Sequence, residues 1–174
     1  MPFTSDPPFA RGATLAGGLV ASPDSTFGGN FAGIQKMFMD VTPSTGVMNT
    51  LRQVRCIALR NSTGATLTKG QLVKFRVGDA LSLAVTTDAQ VAVVDEYIPS
   101  AGVGANDVFW AVVEGPTSVA TAATPAVGTK IGVGTLGNAI AGLGLGETIA
   151  TASGGLVRAI VGGTVNSAAI PTAT

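Results

Sequence analysis

From residue 54 onward, short runs of apolar residues alternate with clusters of turn residues. Residues 71–77 alternate with a period of two, which places Val73, Phe75 and Val77 on one face of a strand and basic residues on the other. Similar runs recur about every ten residues. They predict strands at 54–60, 71–77, 81–86, 90–94, 107–113, 117–122, 130–133 and 156–161, with a turn at Gly115 and Pro116. We therefore predict an all-β fold, either a β-sandwich or a small β-barrel of about eight short strands.

The first fifty residues follow a different pattern. Prolines and glycines interrupt every apolar run there, so no helix is expected. Residues 34–40 are the one stretch able to form a short regular element. Five isolated phenylalanines suggest an extended arm that places aromatic side chains in pockets elsewhere: Phe3, Phe9, Phe27, Phe31 and Phe38. The alternative, a loose terminus whose phenylalanines pack back onto their own domain, stays open.

These patterns divide the chain into three parts. We predict an N-terminal arm at residues 1–50, a β domain at 51–165 and a flexible C-terminal tail at 166–174. Within the β domain, Phe109 and Trp110 are adjacent in one predicted strand. Successive side chains of a strand point to opposite faces, so we expect one of the two to lie in the core and the other at an interface.

The composition suggests that much of the surface is covered by a partner. Only 11% of the residues are charged, with ten cations and ten anions, against about 25% in an ordinary soluble domain. A free monomer with so few surface charges lacks a common protection against association. The zero formal net charge also argues against bulk binding to nucleic acid.

The few charges are separated along the chain. Residues 52–76 contain six cations and no acid, whereas residues 77–129 contain six acids and no cation. Cross-strand pairing between neighbouring parts of one sheet is the simpler interpretation. The alternative is a module whose basic part, with Arg52, Arg55 and Lys69, docks on opposite charges of neighbouring subunits.

The sequence offers little catalytic chemistry. Because the chain has no histidine, it lacks the usual base of a nucleophilic pair and the commonest nitrogen ligand of metals. Its one cysteine, Cys56, cannot form an internal disulfide. Asp95 and Glu96 are adjacent, and in a strand they would point in opposite directions. The GxGxxG string at 132–137 precedes no predicted helix, as a nucleotide site would require. We expect no enzyme, no cofactor and no metal site.

No membrane partner is expected either. No apolar run approaches the ~18 residues of a membrane helix. The first eleven residues contain an acid and three prolines before any apolar run, so no secretory signal is visible and we expect synthesis in the cytoplasm.

Several stretches of the predicted β domain resemble structural proteins of tailed phages. In NSTGATLTKGQLV at 61–73, Gly64 and Gly70 permit the bends of a β-corner, Leu67 packs into the core and Lys69 stays in water. The resemblance continues in DVFWAVVEGP at 107–116, GTKIGV at 128–133, GETIA at 146–150 and LVRAIV at 156–161. Over residues 54–163 the chain resembles phage capsid decoration, or cement, proteins.

This resemblance implies a structural protein of the virion without catalytic activity. It would bind the outer surface of a phage head at junctions between major capsid protein subunits and stabilise the head. A homotrimer, which we favour, or a homodimer would repeat the contacts around the shell. The candidate contact residues are Phe3, Phe9, Phe27, Phe31, Phe38, Arg52, Arg55, Lys69 and Trp110. The alternative function is a head-fibre base or tail-associated module that displays a host-binding surface.

Overall fold

The fold is all-β, as predicted. A computed structural model describes residues 10–15, 33–42, 44–75, 82–83, 90–142 and 144–162, and these residues form eleven strands and no helix. The strands are β1 (Thr14–Leu15), β2 (Gln35–Val41), β3 (Met48–Arg60), β4 (Leu72–Lys74), β5 (Ser82–Leu83), β6 (Val91–Val94), β7 (Val108–Ala120), β8 (Lys130–Val133), β9 (Ala139–Ala141), β10 (Gly146–Thr148) and β11 (Leu156–Val161). In this part of the chain there is accordingly no helical span that could cross a bilayer.

The strands form one antiparallel sheet. Its main path runs in the order β5-β4-β6-β7-β11-β10-β8-β9, and β1 and β3 also pair with β7, while β2 pairs with β3. Among the described residues the path does not close into a barrel. The prediction of about eight short strands is wrong in number and length, because the described residues alone form eleven strands and both β3 and β7 have thirteen residues.

Strand β7 joins the two halves of the sheet, of which the first contains β1 to β6 and the second contains β8 to β11. Its residues 108–114 pair with β3, and its residues 115–120 pair with β11. The predicted turn at Gly115 and Pro116 is instead a bend within the strand. Gly115 has a φ of 108°, and a Cβ there would lie 2.5 Å from the carbonyl oxygen of Gln53. A glycine therefore lets β7 continue where any other residue would strain the backbone or collide with β3.

Strand β6 and residues 108–113 of β7 are buried on both faces of the sheet. One core cluster joins alternate residues of β3, β6 and β7 to residues of β8 and β11, so the two halves of the sheet enclose it. The other cluster lies on the opposite face and includes Leu67, Ile98 and Val103 from the connecting segments. Residues 73 and 75 share this second face, as their alternation predicts.

Phe109 and Trp110 point to opposite faces of β7, as predicted, but neither lies at the surface. Phe109 belongs to the second cluster and Trp110 to the first, where its side chain is only 1% exposed. The predicted contact role of Trp110 is therefore wrong for this fold, because the second half of the sheet covers the face that we expected to be free. Its ring packs edge to face against the ring of Phe38, with the ring centroids 5.3 Å apart and the ring planes at 73°.

The predicted boundary between arm and domain does not coincide with a boundary in the structure. Residue 50 lies inside β3, and both β1 and β2 are strands of the sheet. The regular element expected at 34–40 is β2, and its Phe38 packs against the first core cluster. The other candidate anchors, Phe3, Phe9, Phe27 and Phe31, lie outside the described residues, as does the predicted tail at 166–174.

The β-corner at 61–70 has the predicted construction. Gly64 and Gly70 have φ values of 76° and 78°, Leu67 is buried in the second cluster, and Lys69 is exposed. The corner also depends on Asn61, which the sequence analysis did not single out. Its buried side-chain amide donates to the carbonyl oxygens of residues 65, 103 and 104 and so fixes the turn.

Candidate interaction surface

Exposed apolar side chains concentrate on one hairpin. Of the nine large hydrophobic side chains that are exposed among the described residues, five lie between residues 34 and 48. These are Ile34, Met37, Met39, Val47 and Met48, which we call the hairpin surface. An exposed group of this kind on a soluble protein commonly marks a site of contact with another molecule.

The alternation of β2 explains why part of this surface faces outward. Phe38 and Asp40 point into the protein, so Met37 and Met39 point away from it. Across the ladder, Met37 lies opposite Arg55 and Met39 opposite Gln53. Methionine side chains are flexible and polarisable, which suits them to an adaptable contact.

Strand β2 is also an edge strand in the part of the chain that the structure describes, because there it pairs with β3 alone. Unpaired edges of this kind are usually protected by charge, by proline or by a covering segment. The outward face of this edge carries two methionines instead. An edge with apolar side chains is well suited to contact with a partner protein.

The predicted basic contact residues occupy different places. Arg52 is exposed within β3, the second strand of the hairpin. Arg55 also lies in β3, and its guanidinium forms an ion pair of 3.0 Å with Glu114 of β7, its partner in the ladder. This pair is the cross-strand arrangement that the charge separation predicted. Lys69 lies apart from the hairpin, in the β-corner.

Behind β2 lies a group of buried and partly buried charges that we call the ionic network. It contains two arginines and three carboxylates: Arg11, Arg158, Asp40, Asp95 and Glu96. Arg11, Asp40 and Asp95 are buried, Arg158 and Glu96 are partly buried, and the five form a large share of the charge of so sparsely charged a chain. Buried charges are expected to be paired in this way because isolated ones are costly to desolvate.

The contacts of the network join distant parts of the chain. Arg11 Nε donates to Asp95 Oδ2 at 2.9 Å, with Asp40 and Glu96 oxygens at 3.8 and 3.7 Å from its other nitrogens. Arg158 Nη2 donates to both oxygens of Asp40 at 2.8 and 2.7 Å, and its Nη1 donates to Glu96. The network therefore connects the N-terminal segment and β2 to the turn after β6 and to β11.

The geometry around Asp95 and Glu96 differs from the sequence expectation. The two residues lie just after β6, where the chain turns, and not in a strand. Both carboxylates consequently approach the guanidinium of Arg11. Glu96 also accepts a hydrogen bond of 2.6 Å from the hydroxyl of Ser118.

Burial and pairing act against each other in this network. Burial raises the pKa of Asp95, and the nearby Arg11 charge and hydrogen bonds only partly offset this effect. For Arg11, burial acts to lower the pKa, but the Asp95 charge and hydrogen bond raise it above the ordinary value. The guanidinium carbon of Arg11 also lies over the ring of Tyr97, 4.8 Å from its centroid. The two arginines thus hold the carboxylates of the network in a fixed arrangement.

The other candidate chemistry has structural explanations. Burial raises the pKa of Cys56, so its thiol is poorly suited to act as a nucleophile. Among the residues that the structure describes, no three His, Cys, Asp or Glu side chains are arranged so that they could together hold a metal ion. The GxGxxG string at 132–137 forms the end of β8 and the turn into β9, and a β-hairpin gives no helix N-terminus for a pyrophosphate.

Sequence reasoning missed both the hairpin surface and the ionic network. The alternation of side chains along residues 35–41 contains the signal for the outward methionines. The Pro and Gly content of the first fifty residues led us to predict an arm there instead. No local pattern identifies the network, because Arg11 and Asp95 are separated by 84 positions.

Comparisons with known proteins give a single weak likeness. No family model matches the sequence, and a search of curated proteins found no match. Among solved structures, the chain is similar to the N base of head fiber gp8.5 in bacteriophage phi29, with 16% identity and a TM-score of 0.44 over 63% of this chain and 97% of that one. At that TM-score we draw neither fold nor function from it.

Proposed function

We propose that this chain is a structural protein of a phage virion, without catalytic activity, that binds the outer surface of the capsid at junctions between major capsid protein subunits and stabilises the head. The observation that carries the proposal is the hairpin surface, an exposed apolar group on a chain with few charges. The resemblance of residues 54–163 to capsid decoration proteins indicates the kind of partner.

The physical properties of the hairpin surface suit such a contact. Its methionines adapt to the side chains of a partner, and the edge of β2 offers backbone donors and acceptors. Arg52, which is exposed within β3, adds a positive charge to the same hairpin. Many identical contacts around a symmetric shell give firm attachment without high affinity at each one.

The ionic network supports this function by fixing the hairpin in place. Asp40 projects from β2 to the inside, where Arg158 and Thr50 donate to it. Because β2 is held from behind, the backbone that carries the outward methionines loses little conformational freedom when they bind. Preorganisation of this kind leaves more of the contact energy for affinity.

Binding to undecorated heads of the phage that encodes the chain tests this proposal. Deleting residues 1–50 would remove β1, β2 and part of β3, so point variants are the better perturbation. We expect the wild-type protein to sediment with the heads in a saturable manner. The double variant Met37→Gln/Met39→Gln should weaken binding by about 1.5–3 kcal/mol, or tenfold to a hundredfold, because each methionine still has about half of its surface to bury.

A matched control uses exposed apolar residues elsewhere on the protein. Val127→Gln/Ile149→Gln removes similar side chains far from the hairpin in sequence and should leave binding unchanged. Equal losses in the two double variants would contradict the hairpin assignment. Absence of wild-type binding, or a copy number far below that of the shell protein, would contradict the decoration function and favour a head-fibre or tail-associated module.

A further inference from the structure

The turn between β8 and β9 contains an unusual leucine. The amide of Asn138 donates to the carbonyl oxygen of Thr135 at 3.1 Å, which closes a four-residue turn. Its two central residues, Leu136 and Gly137, have φ values of 53° and 77°. Positive φ at both central positions is the signature of the type I′ turn of two-residue hairpins.

Leucine is a poor choice for this position. Type I′ turns favour Asn, Asp or Gly at the first central residue, because other side chains crowd the backbone when φ is positive. Among the described residues, Leu136 shares a positive φ with only one other residue that is not glycine, Asn106, and asparagine tolerates that conformation. The fold therefore accepts backbone strain at Leu136.

The described part of the fold leaves the side chain of Leu136 largely uncovered. It is 71% exposed, the largest exposed fraction among the large hydrophobic residues of the described chain. Ile140, which follows on β9 and lies over Gly134, is also exposed. Local backbone strain that persists without a benefit to the fold is commonly found at functional sites.

The turn is held in a fixed position. The carbonyl oxygen of Gly137 accepts a hydrogen bond of 2.7 Å from the amide of Leu72 at the start of β4. A Cβ at Gly137 would lie 3.0 Å from the carbonyl oxygen of Leu72, so the two backbones are in close contact. The tip of the hairpin is thus docked on β4, and Leu136 projects from a fixed backbone.

We propose that Leu136 is an anchor that inserts into an apolar pocket of a partner protein, with Ile140 packing beside it. The inference rests on the proposed function, in which that partner is the capsid shell, and it adds a second contact to the hairpin surface. An apolar side chain that is presented in one fixed orientation is well suited to bind a complementary pocket.

The chemistry of the hairpin indicates what kind of pocket it fits. Residues 134–141 contain no charged side chain. The pocket is therefore expected to be apolar, and the contribution of Leu136 to binding should not depend on salt. By contrast, a contact that includes Arg52 should weaken as the salt concentration rises.

The variant Leu136→Asn tests the anchor because it should make the free protein more stable and should weaken binding to the partner. Asparagine suits the type I′ turn, so the free protein should become more stable, with Tm rising by about 2–4 °C. Binding to undecorated heads should weaken by about tenfold to a hundredfold, with the same ratio at low and at high salt. Leu136→Met, which keeps an apolar side chain, should bind nearly as well as the wild type.

Control variants and outcomes separate this inference from the proposed function. Val127→Asn removes another exposed apolar side chain and should change binding little. If the wild type binds heads and Leu136→Asn binds equally well, the anchor is refuted while the proposed function stands. If the wild type does not bind heads at all, both are refuted.

Discussion

Replacing Arg158 by methionine tests whether the ionic network holds β2 against the rest of the sheet. The Asp40 side chain is fully buried and accepts two hydrogen bonds from Arg158. Without Arg158, it keeps the hydroxyl of Thr50 at 2.9 Å, and the nearest cation is Arg11 at 3.8 Å. Glu96 loses the same partner.

The free energy of unfolding should fall by a large amount, because the substitution leaves the buried charge of Asp40 without its partner. Removing one member of a buried pair costs about 3–5 kcal/mol, which corresponds to a fall in Tm of about 6–20 °C for a chain of this size. Urea unfolding, followed by circular dichroism, measures the change as a shift of the midpoint at constant slope. Hydrogen exchange should show the greatest loss of protection in β2.

A second arginine provides the control. Arg55 pairs with Glu114 at 3.0 Å, but their side chains are 38% and 56% exposed. Exposed pairs contribute only about 0–1 kcal/mol, so Arg55→Met should shift the midpoint little. Adding Asp40→Asn to Arg158→Met should restore part of the loss, because it removes the orphaned charge. If Arg158→Met costs no more than Arg55→Met, the reasoning about the network is refuted.

Three further predictions concern single sites. Because burial raises the pKa of Asp95, the folded state binds more protons than the unfolded one just above the ordinary carboxyl pKa, so the stability of the wild type relative to Asp95→Asn should fall as the pH rises above about 4; a stability that rises with pH there would contradict the direction of the shift. Cys56 should not react with a thiol reagent at about pH 8 until the protein unfolds, and rapid reaction of the native protein would disprove its burial. Gly115→Ala should cost about 1–3 kcal/mol in urea unfolding, and Gly128→Ala, which has open space around it, should cost less.

Local chemistry made the all-β fold and the β-corner predictable. The alternation of Val73 and Phe75 is a property of a few neighbouring residues, and so are the bends at Gly64 and Gly70. Such features follow from the backbone preferences and side-chain periodicity of the segment itself.

The errors came from features that depend on distant segments. Trp110 is buried because the second half of the sheet covers its face, and no local pattern shows that. Gly115 continues β7 as a bend because Gln53 of β3 lies against it. Likewise, the N-terminal segment joins the sheet through Arg11 and Phe38, whose partners are remote in sequence. Tertiary contacts therefore stabilise strands β1 and β2 in a segment whose prolines and glycines predicted irregular structure.

A cryo-electron microscopy map of heads saturated with the protein tests the central claim most directly. We expect density for the chain at every equivalent junction between shell subunits, with Met37 and Met39 covered by the shell protein. Density at a few sites alone, or a bound orientation in which the hairpin surface faces solvent, would contradict the proposed function.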